Sequence, residues 1–394
     1  MESAYEGLIS PMKSHSTKKP AILISRFPFE SAWGGEEHHT LILASYLREQ
    51  GFEVVFFGNC PILMEKFRER GFEVCKVKGG KMIVTPMELL KSFFSFGKIK
   101  KNMISAFNEL KKKYHIKALY CLSLNEKLFL SPAAVKAGVP VTWVEHQEIR
   151  GWLLKSPWRR LYLKNSAAVK DAVKIVPVSS GNSRALASIG VAKENTVQIV
   201  NGVDVSAISG LPRKTEKGLL MAANRFISKK GIIDFLESVK ILKKEISGLS
   251  VLVVGEGEEK DKIREFAAQN LTGIPVQIEP PLLRKNWYES LLSADVFVSC
   301  ARDSNETFSL NTAEALAAGC KVVVTRCSGI ADYLEDGKEA FLAEPASPED
   351  LAAKIRLALT APESMRKTAH ESAKNKFDQN RMLEEYRRLI TRAL

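Results

Sequence analysis

RDSNETFSLNTAEALAAG, residues 302–319, decides how the rest of the chain is read. An apolar run, DVFVSC at Asp295–Cys300, enters it as a strand, and a helix leaves it toward Gly319. Glu306 and Glu314 stand eight positions apart and bracket the strand-to-helix turn. Ser309, with Thr312 three residues on, has the spacing of a helix N-cap. A helix start leaves backbone N–H groups unpaired and carries the positive end of the helix dipole, which suits phosphate. Glu314 would lie about one and a half turns into that helix, where its carboxylate can accept hydrogen bonds from sugar hydroxyls. An ordinary strand–helix crossover with two surface glutamates would read the same, so the rest of the chain has to choose.

At 394 residues the chain is long enough for two or three domains. Hydrophobic content of 45% and charged content of 26% are those of a globular protein. The opening MESAYEGLIS lacks the basic start and apolar core of a signal peptide, and no apolar run reaches the roughly 18 residues of a membrane span. Residues 1–18 read as a loose polar tail. Six cysteines without C-x-x-C pairing point to a reduced, cytoplasmic protein rather than to a metal site or a disulfide framework. The net charge of +13 is lopsided: residues 1–205 hold 30 Lys and Arg against 18 Asp and Glu, and the remainder is nearly balanced. The N-terminal half is therefore the one poised for an anionic partner or surface.

In chain order, PAILISR at Pro20–Arg26 is a buried strand, Gly34–Gly35 opens a helix that ends at Gly51, and EVVFFG at Glu53–Gly58 is the next strand. This is a βαβ unit, which implies a parallel sheet. Gly34 and Gly35 let the backbone approach a ligand closely. Ala118–Leu122 and Val139–Val144 are further strands around a helix at Pro132–Ala137; the second runs into Glu145-His146-Gln147. Polar residues at the carboxyl end of a parallel strand are where such sheets place ligands. Ile175–Val178 and Val197–Val200 complete the half, and the turn at Asn201–Asp204 marks the boundary. The expected division is a domain over 19–205, a second over 206–376, and a C-terminal helix over 377–394 that covers one lobe or the other.

The second half alternates more cleanly: strands at Gly218–Ala223, Ser250–Val254, Val276–Glu279, Asp295–Cys300 and Lys321–Thr325, with helices such as Ile232–Lys244 and Lys260–Gln269 between them. Gly255-Glu256-Gly257 lacks the third glycine of a dinucleotide fingerprint, so NAD is not expected. Arg225 and Lys230 follow the first of these strands and can turn toward the helix start near Ser309. Two cations and a helix amino end suit a diphosphate.

Together these stretches resemble the GT-B glycosyltransferases, specifically the retaining family 4, also called group 1. The resemblance covers about residues 20–390 and rests on five loose motifs in order. Gly34-Gly35-Glu36-Glu37 is similar to G-G-x-E, and Asn201-Gly202-Val203-Asp204 to N-G-V-D. Arg225 with Lys230-Gly231 is similar to G-R-x4-K-G, and Val254-Gly255-Glu256-Gly257 to V-G-x-G. Glu306 to Gly319 is similar to E-x-F-G-x4-E-A-x-A-x-G. The resemblance implies an α/β protein of the GT-B type, with two Rossmann-like parallel-sheet domains facing each other across a cleft. It implies a nucleotide-sugar donor in the C-terminal lobe, an acceptor in the N-terminal lobe, and no cofactor or essential metal. By similarity, Arg225 and Lys230 neutralise the leaving diphosphate and Glu314 binds the ribose hydroxyls. Glu306 contacts the donor sugar or supports its departure, and the backbone at Phe308, Ser309 and Leu310 holds phosphate and sugar. Gly34, Gly35 and Gly255 belong to the nucleotide-binding motifs, and His146 occupies the place of a His that contacts the transferred sugar. The sequence departs from the pattern at Ser309, which replaces a glycine; at Asn224, likewise; and at Ser328–Asp332, where G-G-x-P-E is common. A serine beside the sugar can narrow the pocket or bond a hydroxyl.

On the acceptor side, residues 87–113 carry seven Lys and two Glu interleaved with Phe93, Phe94, Phe96 and Phe107, and LLKSPWRRLYLK at Leu153–Lys164 repeats the mixture. Such segments can lie on an anionic membrane with the aromatics inward, which suggests a lipid-linked or cell-envelope glycan acceptor and a peripheral membrane location. They can equally be amphipathic helices whose apolar face is core. Two rivals remain at this level: a GT-B sugar-nucleotide epimerase, and a basic nucleic-acid-binding protein, for which no recognition motif is evident.

Overall fold

A computed structural model describes residues 18–27, 34–78, 86–146, 158–168, 173–304 and 306–391. Gln147, Asn305, Leu153–Pro157 and the expected N-terminal tail up to residue 17 lie outside the described residues, as do the side chains of Phe93 and Phe94.

The chain folds into two α/β lobes, each built on a six-stranded sheet. The first sheet comprises β1 (Pro20–Arg26), β2 (Glu53–Gly58), β3 (Glu73–Lys76), β4 (His115–Cys121), β5 (Val141–Glu145) and β6 (Val173–Pro177). The second comprises β7 (Leu219–Ala223), β8 (Ser250–Val254), β9 (Val276–Glu279), β10 (Val296–Ser299), β11 (Lys321–Thr325) and β12 (Phe341–Ala343). The orders are β3-β2-β1-β4-β5-β6 and β12-β11-β10-β7-β8-β9, so the two lobes share one topology. Every strand pairing is parallel. The central strands read as unbroken apolar runs because helices cover both faces of each sheet. In each lobe the strand order reverses at one place, between β1 and β4 in the first and between β7 and β10 in the second. Ligands of such sheets bind at the carboxyl ends of those strands.

Two short strands were not legible in the sequence. β3, EVCK, and β12, FLA, lie at sheet edges and are too short or too polar to show a period. Conversely, the strand expected at Val197–Val200 does not form. That segment touches the edge of β6 through Val197 N–H to the Ile175 carbonyl at 2.9 Å and Ile199 N–H to the Pro177 carbonyl at 3.2 Å. A 3-10 turn at Lys193–Asn195 ends just before it, and the turn expected at Asn201-Gly202 does not form: Asn201 N–H donates to the Val178 carbonyl at 3.4 Å, and the chain runs on to Val203, which bridges to Asp378.

The lobes are joined by two crossing segments that pair with each other. Val203 N–H donates to the Phe377 carbonyl at 2.8 Å, and Gln379 N–H to the Val203 carbonyl at 2.9 Å. The helix Ser364–Phe377 packs on the second lobe, while Gln379–Thr391 returns to the first, where Met382, Leu383, Tyr386 and Ile390 join the core around Ile22, Ile24 and Phe56. The basic helix Pro86–Lys113 turns Ile99, Met103, Phe107 and Leu110 into the first lobe's core. Phe96 packs against Phe129 and Trp158 at 5.8 and 5.0 Å between ring centroids. For these aromatics the ordinary amphipathic reading is the one realised, while Lys98, Lys100 and Lys101 face solvent. All six cysteines are free, and among the described residues no cluster could hold a metal ion and no helix is long and apolar enough to cross a membrane.

Candidate active site

The loop leaving β7 and the loop leaving β10 meet at the second lobe's switch point. Lys230 ends a 3-10 turn at Ser228–Lys230, and its ammonium reaches Glu306 Oε2 at 2.5 Å. Asn224 Nδ2 donates to the same oxygen at 3.1 Å. Both partners of the ion pair are largely buried, with side chains 11% and 13% exposed. Arg225 is not part of this contact. Its side chain is exposed, and its backbone N–H donates to Asn224 Oδ1 at 2.9 Å. Of the two cations expected to act together, Lys230 is therefore held in place and Arg225 stands at the rim.

Ser309 caps the helix Leu310–Ala317, its hydroxyl accepting from Thr312 N–H at 3.3 Å and meeting Thr312 Oγ1 at 2.8 Å. That hydroxyl accepts both bonds within the helix start and Ser309 is buried, so it serves here to cap the helix. Phe308 turns inward against Phe377 at 5.5 Å and Tyr333 at 6.5 Å, and so anchors the turn from behind. Gly255 serves the same loop structurally: a Cβ there would fall 1.9 Å from the Asn224 carbonyl oxygen. Its contribution is close backbone approach rather than contact through any side chain.

Glu314, 3% exposed, holds two side-chain hydrogen bonds on different oxygens. Arg284 Nη1 donates to Oε1 at 2.7 Å, and Trp287 Nε1 donates to Oε2 at 2.7 Å. Burial pushes the Glu314 carboxyl up, and Arg284 opposes that shift. The other Arg284 terminal nitrogen meets Nε2 of His38 in the first lobe at 2.9 Å. Burial and the neighbouring Arg284 hold His38 down at about 4, so its imidazole is neutral at pH 7 and Nε2 accepts.

The first lobe closes the other side. Gly35 abuts Leu310 of the second lobe so closely that a Cβ would lie 2.8 Å from Leu310 Cδ1. At the end of β1, Arg26 pairs with Glu37 and lies 3.5 Å from Glu36. Burial pushes Glu36 up to about 7, with Arg26 pulling the other way. His146 follows β5; burial holds its imidazole well below the usual range, and among the described residues Nε2 has no hydrogen-bond partner. Its ring lies 5.0 Å from that of His39, which burial pushes down to about 3. Beneath it, buried Lys127 pairs with Glu145 at 2.8 Å and donates to the Val144 carbonyl at 2.7 Å, while Tyr162 donates to Glu145 at 2.8 Å. Finally, Thr307 Oγ1 donates to the His146 carbonyl at 2.6 Å and ties the two lobes.

The structure thus gathers Lys230, Glu306, Ser309, Leu310, Gly35 and His146 at the meeting of two switch points, with Glu314 deeper under Arg284. It places Gly34 at the exposed head of the first helix. Arg284, Trp287, Thr307, His38 and His39 were not read from the sequence. The His pair was visible inside GGEEHH, but nothing in the sequence separates Arg284 or Trp287 from the other polar and aromatic residues of an ordinary helix.

Comparison with known proteins agrees with this architecture. Residues 207–376 match the family of glycosyl transferases group 1, and residues 33–207 match glycosyltransferase family 4. A relative in Campylobacter jejuni, N,N'-diacetylbacillosaminyl-diphospho-undecaprenol alpha-1,3-N-acetylgalactosaminyltransferase, is 21% identical over 91% of this chain and 96% of its own. The capsular polysaccharide biosynthesis glycosyltransferase CapM of Staphylococcus aureus is 26% identical over 57% of this chain and 63% of its own. Among solved structures, a glycosyltransferase of Rickettsia africae superposes with a TM-score of 0.76 at 18% identity, covering 95% of this chain and 98% of that one. HepE of Anabaena, solved with UDP, superposes with a TM-score of 0.76 at 13% identity, covering 94% and 100%. These structural likenesses establish the shared fold.

Proposed function

Since this chain belongs to the group 1 glycosyltransferases, we propose that it moves a sugar from a nucleotide-sugar donor to an acceptor hydroxyl with retention of anomeric configuration. The acceptor class we infer is a lipid-linked or cell-envelope glycan. The observation that carries the reading is the Lys230–Glu306 pair beside the Ser309-capped helix start, at the second lobe's switch point and facing His146. As the glycosidic bond breaks, negative charge grows on the diphosphate and the sugar becomes cation-like. Lys230 and the N–H groups of the helix start are fixed positive groups for that charge, the kind of preorganised stabilisation that matters most, and Arg225 adds a further cation at the rim that the substrate must order. Glu306 orients the Lys230 ammonium and lies where the sugar's positive charge develops. Glu314 receives the ribose hydroxyls. His146, neutral and with Nε2 unpartnered among the described residues, offers a hydrogen bond to the transferred sugar.

The acceptor class is supported by the names of the C. jejuni and S. aureus relatives. The charge of residues 1–205 and the exposed Lys98, Lys100 and Lys101 suit an anionic membrane face. The attraction would be electrostatic, since Phe107 is core, and sedimentation with anionic vesicles at low but not high salt would test it.

The decisive experiment is a thermal-shift screen against UDP-, GDP- and ADP-sugars, followed by transfer assays with the stabilising donor. A bound donor at about 100 times its Kd should add roughly 2.7 kcal/mol. Lipid-linked acceptors should yield product whose anomeric configuration matches the donor by NMR, with and without EDTA. Inverted product, or loss of activity in EDTA, would overturn the retaining, metal-independent reading. Epimerised sugar from donor alone would replace transfer altogether.

A further inference from the structure

The Glu314 carboxylate is more constrained than binding a hydroxyl requires. An ionised carboxylate offers about four acceptor sites, two on each oxygen. Arg284 occupies one on Oε1 and Trp287 one on Oε2, both at 2.7 Å. Neither anchor is loose. Trp287 is 7% exposed and meets Phe297 edge-on at 6.5 Å between ring centroids. Arg284 lies over the Tyr288 ring at 5.1 Å, and its second terminal nitrogen is held by His38 of the opposite lobe at 2.9 Å. Two hydrogen bonds on two different oxygens fix the plane of the carboxylate as well as its position.

We propose that Arg284 and Trp287 are positioning residues that leave the Glu314 carboxylate one free acceptor site on each oxygen, so that it selects a nucleotide carrying two adjacent ribose hydroxyls. Two neighbouring hydroxyls are a matched pair of donors for two neighbouring oxygens. A nucleotide lacking one of them would leave one acceptor site of a buried, charged carboxylate unfilled, which is penalised more than a lost surface contact. The inference rests on the reading that Glu314 meets the ribose, and it adds why that contact discriminates. Sequence spacing gave no hint of it, because Arg284 and Glu314 are thirty residues apart and meet only through the packing of two helices.

Calorimetric Kd values for UDP, 2'-deoxy-UDP and 3'-deoxy-UDP test it, with the guanosine or adenosine series substituted if either diphosphate binds more tightly than UDP. Wild type should bind each deoxy compound roughly 10- to 100-fold more weakly than its parent. Trp287→Phe keeps the ring and removes the N–H; Arg284→Met alters a side chain 46% exposed, where folding is least at risk. Each should shrink the discrimination about fivefold or more by freeing the carboxylate to turn. Both variants keeping the wild-type ratio would overturn the proposal, and Trp287→Phe alone decides it should Arg284→Met not fold. Glu314→Gln separates the two levels. If it leaves wild-type discrimination intact, the ribose reading itself fails. If it abolishes discrimination while both positioning variants retain it, the ribose reading stands and only this inference falls.

Discussion

Thr307 donates its hydroxyl across the cleft to the carbonyl oxygen of His146 at 2.6 Å. The bond joins the loop that carries Glu306 to the strand end that carries His146, and with the Arg284–His38 contact it registers the two halves of the site. Thr307→Val should remove a contact worth about 1 kcal/mol and lower kcat roughly fivefold. Nucleotide affinity should hold within about twofold, because the groups proposed to grip the nucleotide lie on the second lobe. Steady-state kinetics beside calorimetric nucleotide binding check this; an unchanged kcat would show that His146 is held by other means.

Lys230 is held more securely than Arg225, through Glu306 and a 3-10 turn closed by Gly231 at φ 66°. Lys230→Ala should reduce turnover about 100-fold or more, on the order of 3 kcal/mol for one fixed group aimed at developing charge. Arg225→Ala should cost less, since that side chain is exposed and must be ordered by the substrate. Equal losses for the two variants would contradict the unequal placement seen here.

His39 provides a pH dependence with a defined direction. Burial lowers its folded pKa to about 3, so the unfolded chain binds a proton near pH 6.5 that the folded chain refuses. Its contribution to stability is complete above about pH 6.5 and is lost as pH falls toward 3. Glu36 and Glu126, raised by burial to about 7, act in the opposite sense: they favour the fold below about pH 4.5 and lose that advantage as pH rises through 7. To first order both occur in wild type and in His39→Gln, so the comparison isolates His39. Between pH 7.5 and pH 5, wild type should lose about 2 kcal/mol more than His39→Gln in urea denaturation. Parallel curves would mean that the imidazole titrates in the folded state.

Tyr386 sits on the returning helix with 0% exposure, against the rings of Tyr120 at 5.7 Å and His39 at 5.3 Å. Tyr386→Ala should cost about 3 kcal/mol and lower Tm by roughly 6 °C or more. The loss belongs to the first lobe, although the residue is numbered after the second. Nucleotide binding to the second lobe should persist at temperatures below the transition.

Much of this was legible before any coordinates. The apolar runs at Pro20–Arg26, Glu53–Gly58, Ser250–Val254 and Lys321–Thr325 became strands with those bounds, because a parallel strand buried on both faces is written as an unbroken apolar run. Ser309 was readable as a cap because capping is local, reaching only to Thr312. Arg225 and Phe308 were harder: a motif names positions, and it does not say that one side chain stands in solvent while the other turns into the core.

By itself, then, the sequence determined what depends on neighbours along the chain: the strand–helix alternation, the helix cap, the charge of the first half and the motifs that resemble a family. Tertiary structure alone decided what depends on residues distant in the chain. It brought Lys230 onto Glu306, Arg284 between Glu314 and His38, and Thr307 onto His146, and it laid the last helix on the first lobe. The physical reason is that a short hydrogen bond or ion pair needs angstrom placement of two side chains from different elements. Only the packing of whole helices and sheets against one another sets that distance.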